Sequence, residues 1–236
     1  MAKASEKKSR IPFWAQITLI LLCGVLCSVA VLLILPEIKK ETHVVTFAYG
    51  DGTVIGTKEV KDGRGVMPEI YETEDVFRGW SGAINHVTAD VEVHPMLYHI
   101  TSADENLFYF NSVYVKEGNA FTLDLQLSGA VRISSADLTL EYDPEVMSFV
   151  QAEGGAFCSA EESEPGSVKV AFRADTPVTD KTVLAQLTFK TRRKDVLETQ
   201  IDLIAENANL TQNGKNISVT VSTINNKVYF LQEVSQ

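Results

Sequence analysis

From residue 120 to residue 231, apolar side chains return at every second position in one segment after another, and this limits what the chain can fold into. Phe121, Leu123, Leu125 and Leu127 alternate with Thr122, Asp124, Gln126 and Ser128. Ala136, Leu138, Leu140 and Tyr142 repeat the pattern around Asp137, Thr139 and Glu141. Val168, Val170 and Phe172 follow, then Val183, Ala185, Leu187 and Phe189, then Ile217, Val219 and Val221, and a last strand is expected over 228–231. A period of two sends alternate side chains to opposite faces of a strand, so each segment predicts a strand with one buried face. Turn-forming pairs separate them: Gly118-Asn119, Asp143-Pro144, Gly154-Gly155, Pro165-Gly166 and Asn213-Gly214. No stretch here sustains a helical period. About nine short strands at this spacing predict a two-sheet sandwich or jelly roll over residues 106–232.

Nothing covalent is available to staple that sandwich. Of three cysteines, Cys23 and Cys27 lie in an apolar run near the N-terminus, and only Cys158 lies beyond it. One cysteine cannot form an internal disulfide or a Cys-based zinc site, so the core alone must hold the fold. Residues 41–236 carry 15 basic and 29 acidic side chains, and such a surface repels nucleic acid.

The apolar run spans residues 12–35 and contains no Asp, Glu, Lys or Arg. As a helix it reaches roughly 36 Å, enough to cross a hydrocarbon core about 30 Å thick. Lys3, Lys7, Lys8 and Arg10 precede it, whereas Lys39 and Lys40 behind it are flanked by Glu37 and Glu41. The basic excess predicts a cytoplasmic N-terminus, residues 1–11, and an extracellular remainder on a single-pass cell-membrane anchor. A cleaved signal peptide is the alternative, since Ser28-Val29-Ala30 has the small-x-small form. Cleavage there would leave Val31-Leu32-Leu33-Ile34-Leu35 as a greasy new terminus, which favours a retained anchor.

After a linker at 36–43, Val44-Val45-Thr46-Phe47-Ala48-Tyr49 predicts a strand, Gly50-Asp51-Gly52 a tight turn, and residues 53–60 the returning strand. Val76-Phe77-Arg78-Gly79-Trp80 and the segment 87–93 add further strands, with Trp80 expected to fill a small core. The order Val45-Thr46-Phe47, Gly50-Asp51-Gly52-Thr53-Val54, Phe77-x-Gly79-Trp80 and Val87-Thr88-Ala89-Asp90-Val91-x-Val93 resembles the internalin-type B repeat, or Listeria–Bacteroides repeat. That resemblance implies a β-grasp-like module of a bacterial surface protein over residues 44–99, serving in spacing or adhesion. His43, His86, His94 and His99 all fall in or beside this module, but none has metal-site spacing, so no metal and no cofactor is expected.

After a second linker at 100–105, residues 106–232 carry another resemblance. The run Ile133-Ser134-Ser135-Ala136-Asp137-Leu138-Thr139-Leu140-Glu141-Tyr142-Asp143-Pro144-Glu145-Val146-Met147 is similar to the cohesin domain, with its strand ending in Tyr-Asp-Pro. Gly166-Ser167-Val168-Lys169-Val170-Ala171-Phe172, the segment 183–190 and Val115-x-x-Gly118-x-x-Phe121-Thr122-Leu123 fit the same family. Read from the residues alone, Asp143 before Pro144 starts a turn and stops the strand. The resemblance implies a sheet face that holds the dockerin domain of a partner protein. It places contact positions at Ser135 and Asp137, whose side chains alternate away from Ala136 and Leu138.

The expected class is therefore mainly β: an N-terminal transmembrane helix, a β-grasp-like module and a cohesin-like jelly-roll β-sandwich, with a short tail at 233–236. No Gly-x-Ser-x-Gly elbow, His-Glu-x-x-His helix or phosphate-cradling loop occurs, and the sandwich contains no histidine, so an enzyme is not expected. Two functions remain open: capture of a dockerin-bearing or other exported protein, or binding of a polysaccharide. The second needs a row of exposed aromatics, for which Tyr109 and Tyr114 are the candidates.

Overall fold

The computed structural model describes residues 42–232 except 69, 70, 72, 102, 117, 129–132, 155–157, 179–181 and 194. The expected span at 12–35, its flank at 1–11 and the tail at 233–236 lie outside the described residues. Every regular element among the described residues is a strand.

The first five strands are β1 (Thr42–Ala48), β2 (Val54–Lys61), β3 (Val76–Trp80), β4 (Val91–Val93) and β5 (Pro95–Tyr98). β1 and β2 form the expected antiparallel hairpin, and β4 adds to the other edge of β1 in parallel. The turn closes because Gly52 takes a positive φ of 85° and Asp51 Oδ1 accepts from the Thr53 amide at 2.9 Å. β3 and β5 make a separate antiparallel ribbon. Trp80 meets Phe47 edge to face at 4.8 Å, and both are buried with Val45, Val60 and Val93. The expected strand over 87–93 shortens to β4, because Val87 instead bridges to Arg64.

The sandwich comprises β6 (Leu107–Tyr109), β7 (Val113–Lys116), β8 (Ala120–Ser128), β9 (Ile133–Tyr142), β10 (Met147–Gly154), β11 (Cys158–Glu164), β12 (Ser167–Val178), β13 (Thr182–Thr191), β14 (Glu198–Gln212), β15 (Lys215–Ser218), β16 (Ser222–Thr223) and β17 (Asn226–Leu231). One sheet runs β10-β13-β8-β6-β16; the other runs β11-β12-β9-β14-β17-β7, with β15 attached to β14. Leu123, Leu125 and Leu127 of the first sheet meet Leu138, Leu140, Val170, Phe172, Val228 and Phe230 of the second in one core. The alternation read from the sequence is the inner face of this sandwich.

Two segments depart from that reading. β14 gives no clean alternation, yet it lies centrally, between β9 and β17. A bulge between Ala205 and Asn207 shifts its phase by one residue, so that Leu203 and Ala208 both face inward. Ile217, expected inside, is 45% exposed. It lies on β15, which Asn213 and Gly214 fold back onto β14 with φ of 54° and 72°, as a two-residue hairpin requires.

The two β segments belong to one compact unit, Thr42–Gln236. Tyr114 and Tyr229, neighbours on β7 and β17, stack at 4.7 Å on the outer side of their sheet, and β3 lies against them. The Trp80 amide donates to the Tyr114 hydroxyl at 2.8 Å, and the Tyr229 hydroxyl donates to the Arg78 carbonyl at 3.3 Å. A methyl at Gly79 would come within 2.9 Å of Tyr229 and 3.1 Å of the Tyr114 hydroxyl, and Gly79 has a φ of 112°. Both close approach and backbone conformation therefore demand glycine in the Phe-Arg-Gly-Trp segment. Asn111 Oδ1 accepts from the Phe77 amide, the Ser112 amide donates to Phe77 O, and the Gly65 amide donates to Gln232 O at 2.7 Å. The connection expected as a linker at 100–105 is also fastened. Asp104 accepts from the Tyr98 hydroxyl at 2.6 Å and from the amide and hydroxyl of Thr101 at 2.7 and 2.9 Å.

Two expectations follow. Gly79→Ala should destabilise the unit by about 2 kcal/mol or more, through strain and collision with the tyrosines. Urea unfolding of both proteins checks this, and separate transitions for residues 42–99 and 106–232 would sink the shared joint. The second concerns acid. The hydrogen bond from Tyr98, reinforced by Thr101, holds the Asp104 carboxyl below its ordinary value. A carboxylate depressed in the folded state stabilises above its unfolded pKa of about 4 and loses that contribution as pH falls below it. The stability difference between the parent and Asp104→Asn should therefore be greatest at neutral pH and narrow toward pH 2. A difference that stays constant in urea titrations across that range excludes the idea.

Candidate binding face

The outer face of the seven-stranded sheet holds both residues named from the sequence. Ala136 and Leu138 point into the core, so Ser135, Asp137, Thr139 and Glu141 point out along β9. Register then sets their neighbours. On β12, Arg173 lies beside Ser135, Ala171 beside Asp137 and Lys169 beside Thr139. On β14, Asn209 lies beside Ser135, Asn207 beside Asp137 and Ile204 beside Thr139. Ser135 and Asp137 thus occupy one row in the middle of an open surface.

Asp137 is not free. Its carboxylate is paired with the Arg173 guanidinium, which also donates to the carbonyls of Ala136 and Phe172 at 2.9 and 2.7 Å. The pair is solvated and contributes little to stability, but it orders the cation beside Ser135. Thr139 donates to Glu206 Oε1 at 2.7 Å, and Glu206 is the extra residue of the β14 bulge. Asp137, Thr139, Glu161, Lys169 and Glu206 line a shallow depression of about 370 Å³, with Ala171 and the backbone of β9 and β12 beneath them. A depression rimmed by acidic and hydroxyl groups suits recognition of another protein's amides, hydroxyls and basic side chains.

Sequence reading missed Arg173, Glu206 and Ile204. Arg173 was accessible in principle, because it continues the outward phase of Lys169 and Ala171. Glu206 and Ile204 carry no such signal, since the bulge obscures the phase of their strand.

The strand end at Tyr142 is structural. Asp143 Oδ1 accepts from the Glu145 amide at 2.9 Å, and the Tyr142 amide donates to Gly166 O at 2.9 Å. The Tyr142 ring packs edge to face on Phe189, and its hydroxyl donates to Glu162. Burial, together with that bond, pushes the phenol pKa upward. This corner fixes where β9 stops, and hence where its outward row sits.

Tyr109 is buried, and Tyr114 is half-buried beneath β3. Among the described residues of the sandwich, no aromatic side chain is exposed. No group of three His, Cys, Asp or Glu side chains among the described residues is placed to hold a metal ion.

The cohesin domain model matches residues 108–230. No curated protein matches the chain. Solved structures similar to it include the seventh type I cohesin of a scaffoldin from Pseudobacteroides cellulosolvens, at 16% identity and a TM-score of 0.49, covering 53% of this chain and 92% of that one. The sixth cohesin of Acetivibrio cellulolyticus scaffoldin B, solved in complex with a dockerin, aligns at 18% identity and a TM-score of 0.47, covering 53% and 99%. A non-cellulosomal cohesin from the archaeon Archaeoglobus fulgidus aligns at 16% identity and a TM-score of 0.45, covering 55% and 93%.

Cys158 takes no part in the face. It pairs in register with the buried Phe172, packs against the core, and its thiol is pushed up to about 11 by burial. At pH 8 an ordinary thiol with a pKa near 8.5 is partly thiolate. Iodoacetamide should therefore label folded Cys158 roughly a hundredfold more slowly than the urea-unfolded chain, on the thiolate fraction alone. Mass spectrometry of timed samples reads this, and equal rates would contradict the inward placement.

Proposed function

Because the chain belongs to the cohesin domain family, with more than half of its length matched, we propose that its sandwich captures a dockerin-bearing exported protein on the open face of β11, β12, β9 and β14. The observation that carries this is the row Ser135–Asp137–Thr139. It is central, with Ser135 and Asp137 partly exposed and Thr139 buried against Glu206, and Arg173, Lys169 and Glu206 flank it beside a shallow polar depression. Cohesin domains are binding modules, and the reading assigns that role to this face.

In this reading residues 12–35 form a signal anchor that keeps the N-terminus in the cytoplasm and displays the rest outside a bacterial cell. The support is the length of the uncharged run and the basic residues before it. Residues 44–99 act as an internalin-type B-repeat-like module, supported by the Gly-Asp-Gly hairpin and the Phe-x-Gly-Trp strand that packs Trp80 into a small core. A polysaccharide-binding role has less support, since no aromatic row is exposed on the described part of the sandwich.

The test is binding of the full chain to a panel of purified dockerin modules, compared with Asp137→Lys. Charge reversal at Asp137 sets two cations side by side with Arg173 and should weaken capture about tenfold or more without lowering the unfolding midpoint. Unchanged affinity would remove this face from consideration. Retention on insoluble polysaccharide with no dockerin bound would favour the other reading.

A further inference from the structure

The first β segment does not stand clear of the candidate face, because it rests on the same sheet. Even-numbered residues of β14 from Glu198 to Ile204 point outward, as do Lys227 and Tyr229 on β17 and Tyr114 on β7. The Tyr114–Tyr229 end of this surface is covered by β3. Arg78 of β3 borders the open part of the sheet at β14, and Met96 of β5 borders it at β17.

Two clefts lie along that border, of about 570 and 360 Å³, and Arg78 lines both. Ile204 and Ala205 of β14 line the first, and Met96, Lys227 and Tyr229 the second. Ile204 lies beside Thr139, whose hydroxyl holds Glu206, and Thr139 and Glu206 line the central depression. The depression and the first cleft are thus lined by neighbouring residues of the β9–β14 pair.

Their chemistry is graded. Ile204 is 42% exposed and Met96 39% exposed, so two large apolar groups stand open to solvent on a mostly polar surface. Around Ile204 lie the carboxylates of Asp202 and Glu206, with Glu141 beside Asp202. At the border, Lys227 is paired with Glu198, whereas Arg78 has no ion-pair partner among the described residues. An apolar centre with acid on one side and a cation on the other is complementary to a protein, not to a neutral glycan.

We infer that the docking surface is composite: Arg78 and Met96 of the first segment join Ile204, Asp202 and Glu206 of the sandwich in holding one protein partner. That partner presents an apolar patch to Ile204 and Met96, basic side chains to Asp202 and Glu206, and a carboxylate to Arg78. This rests on the reading that the sandwich face binds a dockerin-bearing protein. It goes further by making residues 44–99 part of the recognition surface and not a spacer alone.

Full-length chain, Arg78→Glu, Met96→Asp and Ile204→Asp are titrated with the same purified dockerin modules, and the unfolding midpoint of each variant is recorded. Each substitution is at a solvent-accessible side chain, and each should weaken binding about tenfold with the midpoint unchanged. In addition, dockerin should slow oxidation of Met96 to its sulfoxide by peroxide in the parent chain severalfold, a measurement that needs no variant. Loss of binding with Ile204→Asp, but parent-like affinity for Arg78→Glu and Met96→Asp and unprotected Met96, overturns the composite surface and leaves the sandwich face standing. Failure of every dockerin to bind the parent chain overturns both.

Discussion

The stack of Tyr114 on Tyr229 decides the shape of everything around it. Two half-buried phenols on adjacent strands offer a flat apolar plate with two hydroxyls at its edge, and β3 closes on that plate through a glycine. The hydroxyls are satisfied by backbone: one accepts from the Trp80 amide and the other donates to the Arg78 carbonyl. Burial dominates over that bond at Tyr114 and raises its pKa, so the ring remains a neutral phenol across physiological pH. Without β3 closing on this plate, β17 and β7 would present aromatic surface to solvent, and without the plate the first segment would lose the support that holds its Trp80 core against the sandwich.

How far this could be read from the sequence depends on whether the determinant is local. The inner face of the sandwich was legible, because Leu123, Leu125, Leu138, Leu140, Val170 and Phe172 each sit in a strand with an unbroken period of two. So were the turns at Gly52 and at Asn213-Gly214, where positive φ selects the residue. The row Ser135–Asp137 emerged as the complement of its buried neighbours. β14 was not legible, since its bulge at Glu206 changes phase within the strand and removes the alternation that would announce it. Ile204 and Glu206 were lost with it. The role of Gly79 was equally hidden: Phe-Arg-Gly-Trp marks a strand, but the tyrosines that require the glycine lie 35 and 150 residues further on.

The face itself shows how little of a binding surface is determined by its most conspicuous residue. Asp137 is already engaged by Arg173, and that guanidinium is tied to two carbonyls of the sheet. Such a pair is pre-ordered, so a partner meeting it loses little side-chain entropy in forming contacts. A second acidic group is Glu206, which the bulge lifts out of register on the central strand and the Thr139 hydroxyl holds at 2.7 Å. Bulges are conformationally specific, and one beside a depression re-aims a side chain that regular pairing would have laid flat.

The position of the first segment also fixes how this face is oriented within residues 42–232. A freely jointed spacer leaves the orientation of its load to the linker, and the load must lose that freedom on binding. Here the connection at 100–105 is held by Asp104, which accepts three hydrogen bonds, and the module is locked through Phe77, Trp80 and Gly65 to the end of the sheet. Within residues 42–232 the open half of the sheet therefore keeps one fixed relation to the strand at Thr42, whatever precedes that strand. That fixed relation follows from the same tyrosine plate that holds Arg78 over the clefts it shares with Ile204 on one side and Met96 on the other.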